Sequence, residues 1–132
     1  SHDHYDHLDY ATCIELSSKT KAFYCPPGVD QHINYWGVDP AKIKTLEWWE
    51  ETSISKEIKL KGLPARHFSG RLFKRNQTLW NAYLLNVNGF KIMLGGDSGY
   101  GNHFKNINDT IGPVDIAILE CGQYHPYWKY IH

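Results

Sequence analysis

The sequence lacks any apolar run approaching the roughly 18 to 20 residues that a membrane-spanning helix needs, and no basic, apolar, small-residue triad stands at its start. Localisation is left open. An excess of either charge is also missing, since 14 Lys+Arg stand against 14 Asp+Glu. That balance argues against the broad positive field on which nucleic-acid and anionic-membrane binders rely. The partner expected is a small-molecule or lipid-derived substrate recognised locally, with no nucleic acid. Cysteine is scarce and odd in number: Cys13, Cys25 and Cys121. Thiols so widely spaced fit neither a disulfide framework nor a CxxC zinc knuckle, and all three are read as buried. Repeats and low-complexity stretches are absent, and 132 residues is about one domain.

What is present alternates between short strands and helices. LDYATCIELSSK has helical spacing, with Leu8, Cys13, Ile14 and Leu16 inward and an end at SSK. KAFYC predicts a brief strand stopped by Pro26 and Pro27, and GVDQHINYWGV a second helix closed by Gly37. IKTLEWW and ISKEIKLKGLPARHF predict strands, the second alternating at Ile54, Ile58 and Leu60. In the first, Trp48 and Trp49 can be core, groove lining or both, with only one of the pair inward if the segment is extended. TLWNAYLLNVNGFKIMLGGD predicts a hairpin around Asn88-Gly89, a pairing that favours the type I′ turn. YGNHFKNINDTIG reads as a helix, and VDIAILECG as a strand buried on both faces. The sum is a layered α/β (α+β) domain.

Against that scaffold the polar residues at strand ends stand out. In SHDHYDHLDY, residues His2, His4 and Asp6 alternate, so an extended segment would project them to one side, and His7 follows where the chain turns into the first helix. His67 ends a strand in PARHFSGR, and Asp97 ends another in LGGDSGY, where glycines allow a tight backbone approach. Loops at strand ends are a common place to build a site on a rigid sheet. Neutral imidazole and carboxylate are ligands that zinc accepts, and a catalytic zinc keeps three protein ligands and an open position. Two ions about 3.5 to 4 Å apart need roughly six or seven ligands with one bridging carboxylate. Four histidines and two aspartates of this kind are available. Packing residues 2 to 7 together without a cation would combine desolvation with crowding. His32 and His103 are read instead as surface or hydrogen-bonded core histidines.

HDHYDH is the pattern His-x-His-x-Asp-His, and with PARHFSGR and GGDSGYG it resembles the metallo-β-lactamase fold. More narrowly it is similar to the branch containing N-acyl-phosphatidylethanolamine-hydrolysing phospholipase D and its bacterial relatives, a neighbour of the ascorbate-phosphate lactonases. LEWWEE, TLW, GPVDIAIL and GQYHPYWKYIH extend the resemblance over nearly the whole chain. It implies an αββα sandwich of which residues 1–132 form the central part of a single domain, lacking the N-terminal strands and the C-terminal portion. It also implies that His2, His4 and His67 hold one Zn²⁺, that Asp6 and His7 hold a second, and that Asp97 bridges them. Nitrogen and oxygen ligands of this kind accept Mn²⁺ or Fe²⁺ as well.

The implied activity is hydrolysis. Hydroxide formed on the ions attacks a phosphodiester, in the manner of a phospholipase D, or a lactone or ester, and Asp6 and Asp97 are the catalytic carboxylates, Asp6 also orienting the nucleophile. His4, where diiron reductases of this fold carry glutamate, favours a hydrolase. Tyr124 and His132 match a family segment near the active site and are assigned to substrate contact, although tyrosine is equally at home in a core. A further metal-binding histidine is expected beyond His132, so residues 1–132 alone are expected to hold at most one zinc well and to hydrolyse feebly. The alternative is a non-catalytic metal-binding module that forms homo-oligomers through exposed strand edges.

Overall fold

The computed structural model describes residues 1–123 and 125–132, and its backbone divides into two compact units. Unit 1 comprises Ser1–Glu47 and Phe68–Trp80, and unit 2 comprises Trp48–His67 and Asn81–His132. The mixed helix-and-strand content agrees with the layered α/β expectation. No helix among the described residues is long and apolar enough to cross a membrane.

Unit 1 is built around one parallel pair of strands. Helix α1 (Tyr10–Ser17) starts where the Asp9 carboxylate accepts the Thr12 N–H at 2.8 Å, satisfying a donor that the first turn would otherwise leave open. That bond holds the Asp9 carboxyl below the usual carboxylate range. Strand β1 (Phe23–Cys25) stops at Pro26 and Pro27, which cannot donate to a ladder. Helix α2 (Val29–Tyr35) then carries the chain to β2 (Ile43–Thr45), parallel to β1. Its stop is Gly37, at φ 94°, a conformation glycine adopts without steric cost. Leu8, Cys13, Cys25, Val29, Ile33 and Val38 form the buried core. Burial, reinforced by Asp30, pushes the Cys25 thiol up to about 12, so it packs as an inert small hydrophobe. The second stretch of unit 1 adds a short antiparallel hairpin, β3 (Gly70–Arg71) with β4 (Lys74–Arg75).

Unit 2 is a five-stranded sheet. Its strands are β5 (Glu51–Ser53), β6 (Ile58–Leu63), β7 (Ala82–Val87), β8 (Phe90–Leu94) and β9 (Ile116–Ile118), in that spatial order. All pairs are antiparallel except β8 with β9, which α3 (His103–Ile111) connects as a crossover. The expected turn at Asn88-Gly89 has φ of 51° and 91°, both positive as type I′ requires.

Three local expectations are corrected. IKTLEWW is extended only over Ile43–Thr45; Trp48 and Trp49 form a turn, Trp49 at φ 72° donating its N–H to Gly62 O at 2.7 Å. Trp49 therefore stands in neither orientation of a strand. The run containing Ile54 is a hairpin rather than one strand, because the Ser55 hydroxyl accepts the N–H groups of Glu57 and Ile58, each at 3.2 Å, and closes a turn. VDIAILECG yields only Ile116–Ile118 as strand, with Ile118 58% exposed, because β9 lies at the sheet edge. Cys121, in the same segment, is exposed, while Cys13 and Cys25 are buried as expected.

The unit 2 sheet depends on Leu63, which is 0% exposed and pairs with Ala82 across the β6–β7 ladder. Leu63→Ala leaves a cavity and should destabilise the chain by about 2–5 kcal/mol. Urea unfolding measures this, and a loss below about 1 kcal/mol would place the core elsewhere.

Candidate metal centre

In unit 1 the histidine-rich segment is a turn rather than an extended strand, since Leu8 N–H donates to His4 O at 2.8 Å. Turning brings three imidazoles together. His2, 1% exposed, has Nε2 2.7 Å from Nδ1 of His4, and its ring centroid lies 4.4 Å from that of His7. The Ser1 hydroxyl sits 3.1 Å from Nδ1 of His2 and 2.9 Å from Nδ1 of His7, and the His4 ring packs edge-on against Phe68. Asp6 does not join them: its side chain is 80% exposed, with Oδ2 3.7 Å from Nε2 of His7.

The loop is fixed from outside by residues that the sequence pattern did not single out. Arg71 Nε donates to Asp3 O at 2.6 Å, and its Nη2 donates to Leu8 O. One guanidinium thus grips both ends of the motif, in the planar fork that only arginine offers. The same group lies over the Tyr5 ring at 4.4 Å and the Trp36 ring at 5.2 Å. Asp3, 1% exposed, turns its own Oδ1 to the Gly70 N–H at 2.6 Å. Gly70 has to be glycine, because it lies at φ 152° and an added Cβ would stand 2.6 Å from Lys74 O.

In unit 2 the His67 side chain is 0% exposed, with Nε2 3.6 Å from Asp97 Oδ2. His67 Nδ1 lies 2.9 Å from Ile131 O, and a carbonyl only accepts, so Nδ1 carries the proton in that bond. In the neutral ring Nε2 then presents a lone pair toward a carboxylate oxygen, at a distance too long for a direct hydrogen bond. Two ligands of one tetrahedral zinc stand about 3.3 Å apart at ordinary bond lengths. A cation between the two groups would be within reach of both. The donor set therefore fits a divalent metal ion.

Asp97 reaches this place on a glycine turn. A Cβ at Gly95 would lie 2.9 Å from the Leu119 side chain, and Gly96 has φ 60°. Beyond it, Glu120 Oε1 accepts the Ser98 N–H at 2.6 Å, while Glu120 Oε2 is 2.8 Å from His132 Nδ1. Ligand atoms of Asp97, Glu120 and His132 all lie within 4.8 Å of one another. The Ser98 hydroxyl accepts the Arg66 N–H at 3.0 Å and meets His103 Nε2 at 2.9 Å. Burial first, and Arg66 second, push the His103 pKa down, so this histidine serves as a neutral hydrogen-bonding partner.

The expected residues therefore divide by unit. His2, His4 and His7 converge in unit 1 with Asp6 turned outward, and His67 and Asp97 face each other in unit 2 beside His132. Tyr124 lies outside the described residues. His32 Nε2 stands 3.9 Å from Asp3 Oδ2, too far for a direct hydrogen bond, with its side chain 34% exposed. Arg71 and Glu120 were missed. The only signal for either was a charged side chain within an apolar or glycine-bearing stretch, SGR and AILE.

Comparison with known proteins bears on the same residues. A family model described as the β-lactamase superfamily domain matches residues 1–132. An uncharacterised protein of Mycobacterium tuberculosis is 40% identical over 133 residues, covering 100% of this chain and 36% of the relative. The mitochondrial N-acyl-phosphatidylethanolamine-hydrolysing phospholipase D of Saccharomyces cerevisiae is 35% identical over 136 residues, covering 97% of this chain and 29% of the relative. The chain thus spans about a third of the length of these relatives. Among solved structures, a metallo hydrolase of the archaeon Ignicoccus hospitalis superposes with TM-score 0.74 at 16% identity, over 98% of this chain and 51% of the other.

The arginine clamp makes a testable statement about the motif loop. Arg71→Lys keeps the charge and removes the fork, and should weaken metal binding by about 10–100-fold, the usual cost of losing an outer orienting partner. Chelator competition followed by metal analysis measures it; an unchanged affinity would show that the loop holds its shape without the clamp.

Proposed function

The chain belongs to the β-lactamase superfamily, and from that premise we propose that it forms the metal-binding core of a metal-dependent hydrolase. One observation carries the reading: His67 Nε2 and Asp97 Oδ2 face each other at 3.6 Å, close to the spacing of two ligands on one ion. In this reading His2, His4 and His67 hold one ion, Asp6 and His7 hold a second, and Asp97 bridges them. Asp6 must rotate inward to take part, since its carboxylate is turned to solvent. Zinc suits the nitrogen and oxygen donors best, and Mn²⁺ or Fe²⁺ are accepted by the same set.

For His132, which the resemblance assigns to substrate contact, the geometry supports a further proposed role. Its Nδ1 is engaged by Glu120 at 2.8 Å, a hydrogen-bond distance. That leaves the other ring nitrogen as the lone-pair donor, the arrangement of a carboxylate–histidine–metal relay. His132 accordingly joins the second ion as a ligand, with Glu120 as its positioning residue.

When bound, the ions would supply a hydroxide nucleophile near neutral pH and accept the charge that develops on the substrate. The protein's own residues do the positioning. Arg71 fixes the loop bearing His2 and His4, the Ile131 carbonyl sets the His67 tautomer, and the Gly95-Gly96 turn presents Asp97. A cleft of about 220 Å³ beside Glu120 and His132 has Tyr100, Phe104 and Leu119 in its walls, which suits an apolar substrate portion. The substrate class is a phosphodiester, as the name of the yeast relative indicates for that protein, with a lactone or ester as the variant. The second reading, a self-associating metal-binding module without catalysis, draws on the exposed edge strand β9.

Metal analysis combined with a phosphodiesterase assay tests the proposal. The zinc-loaded protein should hydrolyse a chromogenic phosphodiester at a feeble but measurable rate, and His67→Ala should lose metal and rate together. Glu120→Gln should keep the fold and weaken the more labile ion by about 10–100-fold. Full metal occupancy with no turnover on phosphodiesters, lactones or esters, together with a dimer by size exclusion, would favour the second reading.

A further inference from the structure

We infer that unit 1 carries a separate binding site for a phosphate-type oxyanion, between helix α2 and the β3–β4 hairpin. A cavity of about 250 Å³ opens there. Gln31 and His32 of α2, Arg71 and Lys74 of the hairpin and Thr78 just beyond it stand in its wall. The inference does not depend on the hydrolase reading, because none of its residues is assigned to a metal ion.

Charge is the first argument. Arg71 spends its Nε and Nη2 on the Asp3 and Leu8 carbonyls, and its Nη1 has no hydrogen-bond partner among the described residues. The Lys74 ammonium likewise meets no carboxylate among the described residues, whereas other lysines of the chain, such as Lys59 with Glu51, do. Asp3 is the acid of this wall: its Oδ1 receives the Gly70 N–H, and its Oδ2 lies 3.9 Å from His32 Nε2. Two cations against one carboxylate leave the wall with a net positive charge, a condition that draws an anion.

A buried polar atom is the second argument. Thr78 is 6% exposed, and its Oγ1 has no hydrogen-bond partner among the described residues. Native structures rarely leave a buried hydroxyl in that state without a ligand or water to receive it. Backbone shape is the third. Gly28, at φ 91°, stands in the same wall, and a Cβ there would come 2.8 Å from Thr78 Cα. The bare backbone lets the start of α2 pack directly on the Gln77–Thr78 segment, which fixes the two sides of the wall against each other.

The donors also select the ligand. The Gln31 amide, the Nη1 group of Arg71, the Lys74 ammonium and the Thr78 hydroxyl offer a donor for each of the four oxygens of a phosphate, against the two of a carboxylate. At about 250 Å³ the cavity is smaller than the roughly 300–1,000 Å³ of drug-sized sites and suits inorganic phosphate or the phosphomonoester of a small polyol.

Residue-specific amide shifts in the intact ¹⁵N-labelled, zinc-loaded protein provide the test. Titration with inorganic phosphate should move the amides of Gln31, Lys74, Gln77 and Thr78 saturably, and glycerol phosphate should do the same if esters are taken, while acetate at equal concentration should not. Lys74→Gln, at an exposed position, should weaken phosphate at these amides by roughly tenfold, the scale of one charge-assisted hydrogen bond. Thr78→Val should weaken it several-fold, with metal content unchanged in both variants. Shifts confined to the histidine-bearing segments, equal response to acetate, or undiminished binding by Lys74→Gln would each overturn the assignment. Since the readout needs no turnover, a protein inactive on phosphodiesters can still pass it, and an active one can fail it.

Discussion

A lone pair that has lost its water needs a positive partner, and this constraint governs the design of both units. His2 in unit 1 and His67 in unit 2 are withdrawn from solvent, and Asp97 is largely so. Neutral imidazole and ionised carboxylate in such places are costly unless a proton or a cation answers them. The cost is tolerable only where it is repeatedly offset by fixed geometry. Each donor accordingly carries an orienting partner on its far side: the Ser1 hydroxyl for His2, the Ile131 carbonyl for His67, and the Glu120 carboxylate for His132. Without those partners the rings would turn and the lone pairs would disperse.

The scaffold follows from the need to hold these groups still. Asp97 leaves the end of β8, a strand paired on both sides by β7 and β9, so its starting point cannot slide. From there a glycine pair makes a turn that no side chain could fit, with Leu119 packed against Gly95. The histidine loop of unit 1 has no strand within it and obtains rigidity another way. Arg71 ties its two ends by backbone carbonyls and is itself held between two aromatic rings. A lysine could supply the charge but not two donors in one plane.

Much of this was legible in the sequence because it is local. The alternation in NAYLLNV and FKIML, with Asn88-Gly89 between them, dictates a hairpin from residues that touch each other. His-x-His-x-Asp-His is likewise a short-range signal, and the gathering of its imidazoles could be read from it although the segment proved to be a turn. What escaped is what depends on long-range partners. VDIAILECG is as apolar as a buried strand, but whether its faces are covered is decided by the elements beside it, and at the sheet edge they are not. Trp49 takes a positive φ because Gly62 receives its N–H, a contact invisible in EWWE. Arg71 and Glu120 act across 63 and 12 residues respectively, and no periodicity records such pairings.

Distances separate the roles of the polar pairs where residue type alone does not. His132 with Glu120 and His67 with Asp97 are both histidine–carboxylate pairs, yet the first is 2.8 Å apart and the second 3.6 Å. At the shorter distance a proton occupies the line between the atoms, so the carboxylate orients the ring and the ring's other nitrogen is the one available to a ligand. At the longer distance no such bond forms, and the gap matches two ligands of a shared ion. The carboxylates Glu120 and Asp97 therefore differ in function for a geometric reason. Each is set by the turn that carries it: Gly95-Gly96 leads Asp97 to the imidazole face of His67, and Ser98, the next residue, uses its backbone N–H to fasten Glu120 behind His132. One tripeptide, Gly-Asp-Ser, thus places the carboxylate that faces His67 and anchors the partner that keeps His132 in register.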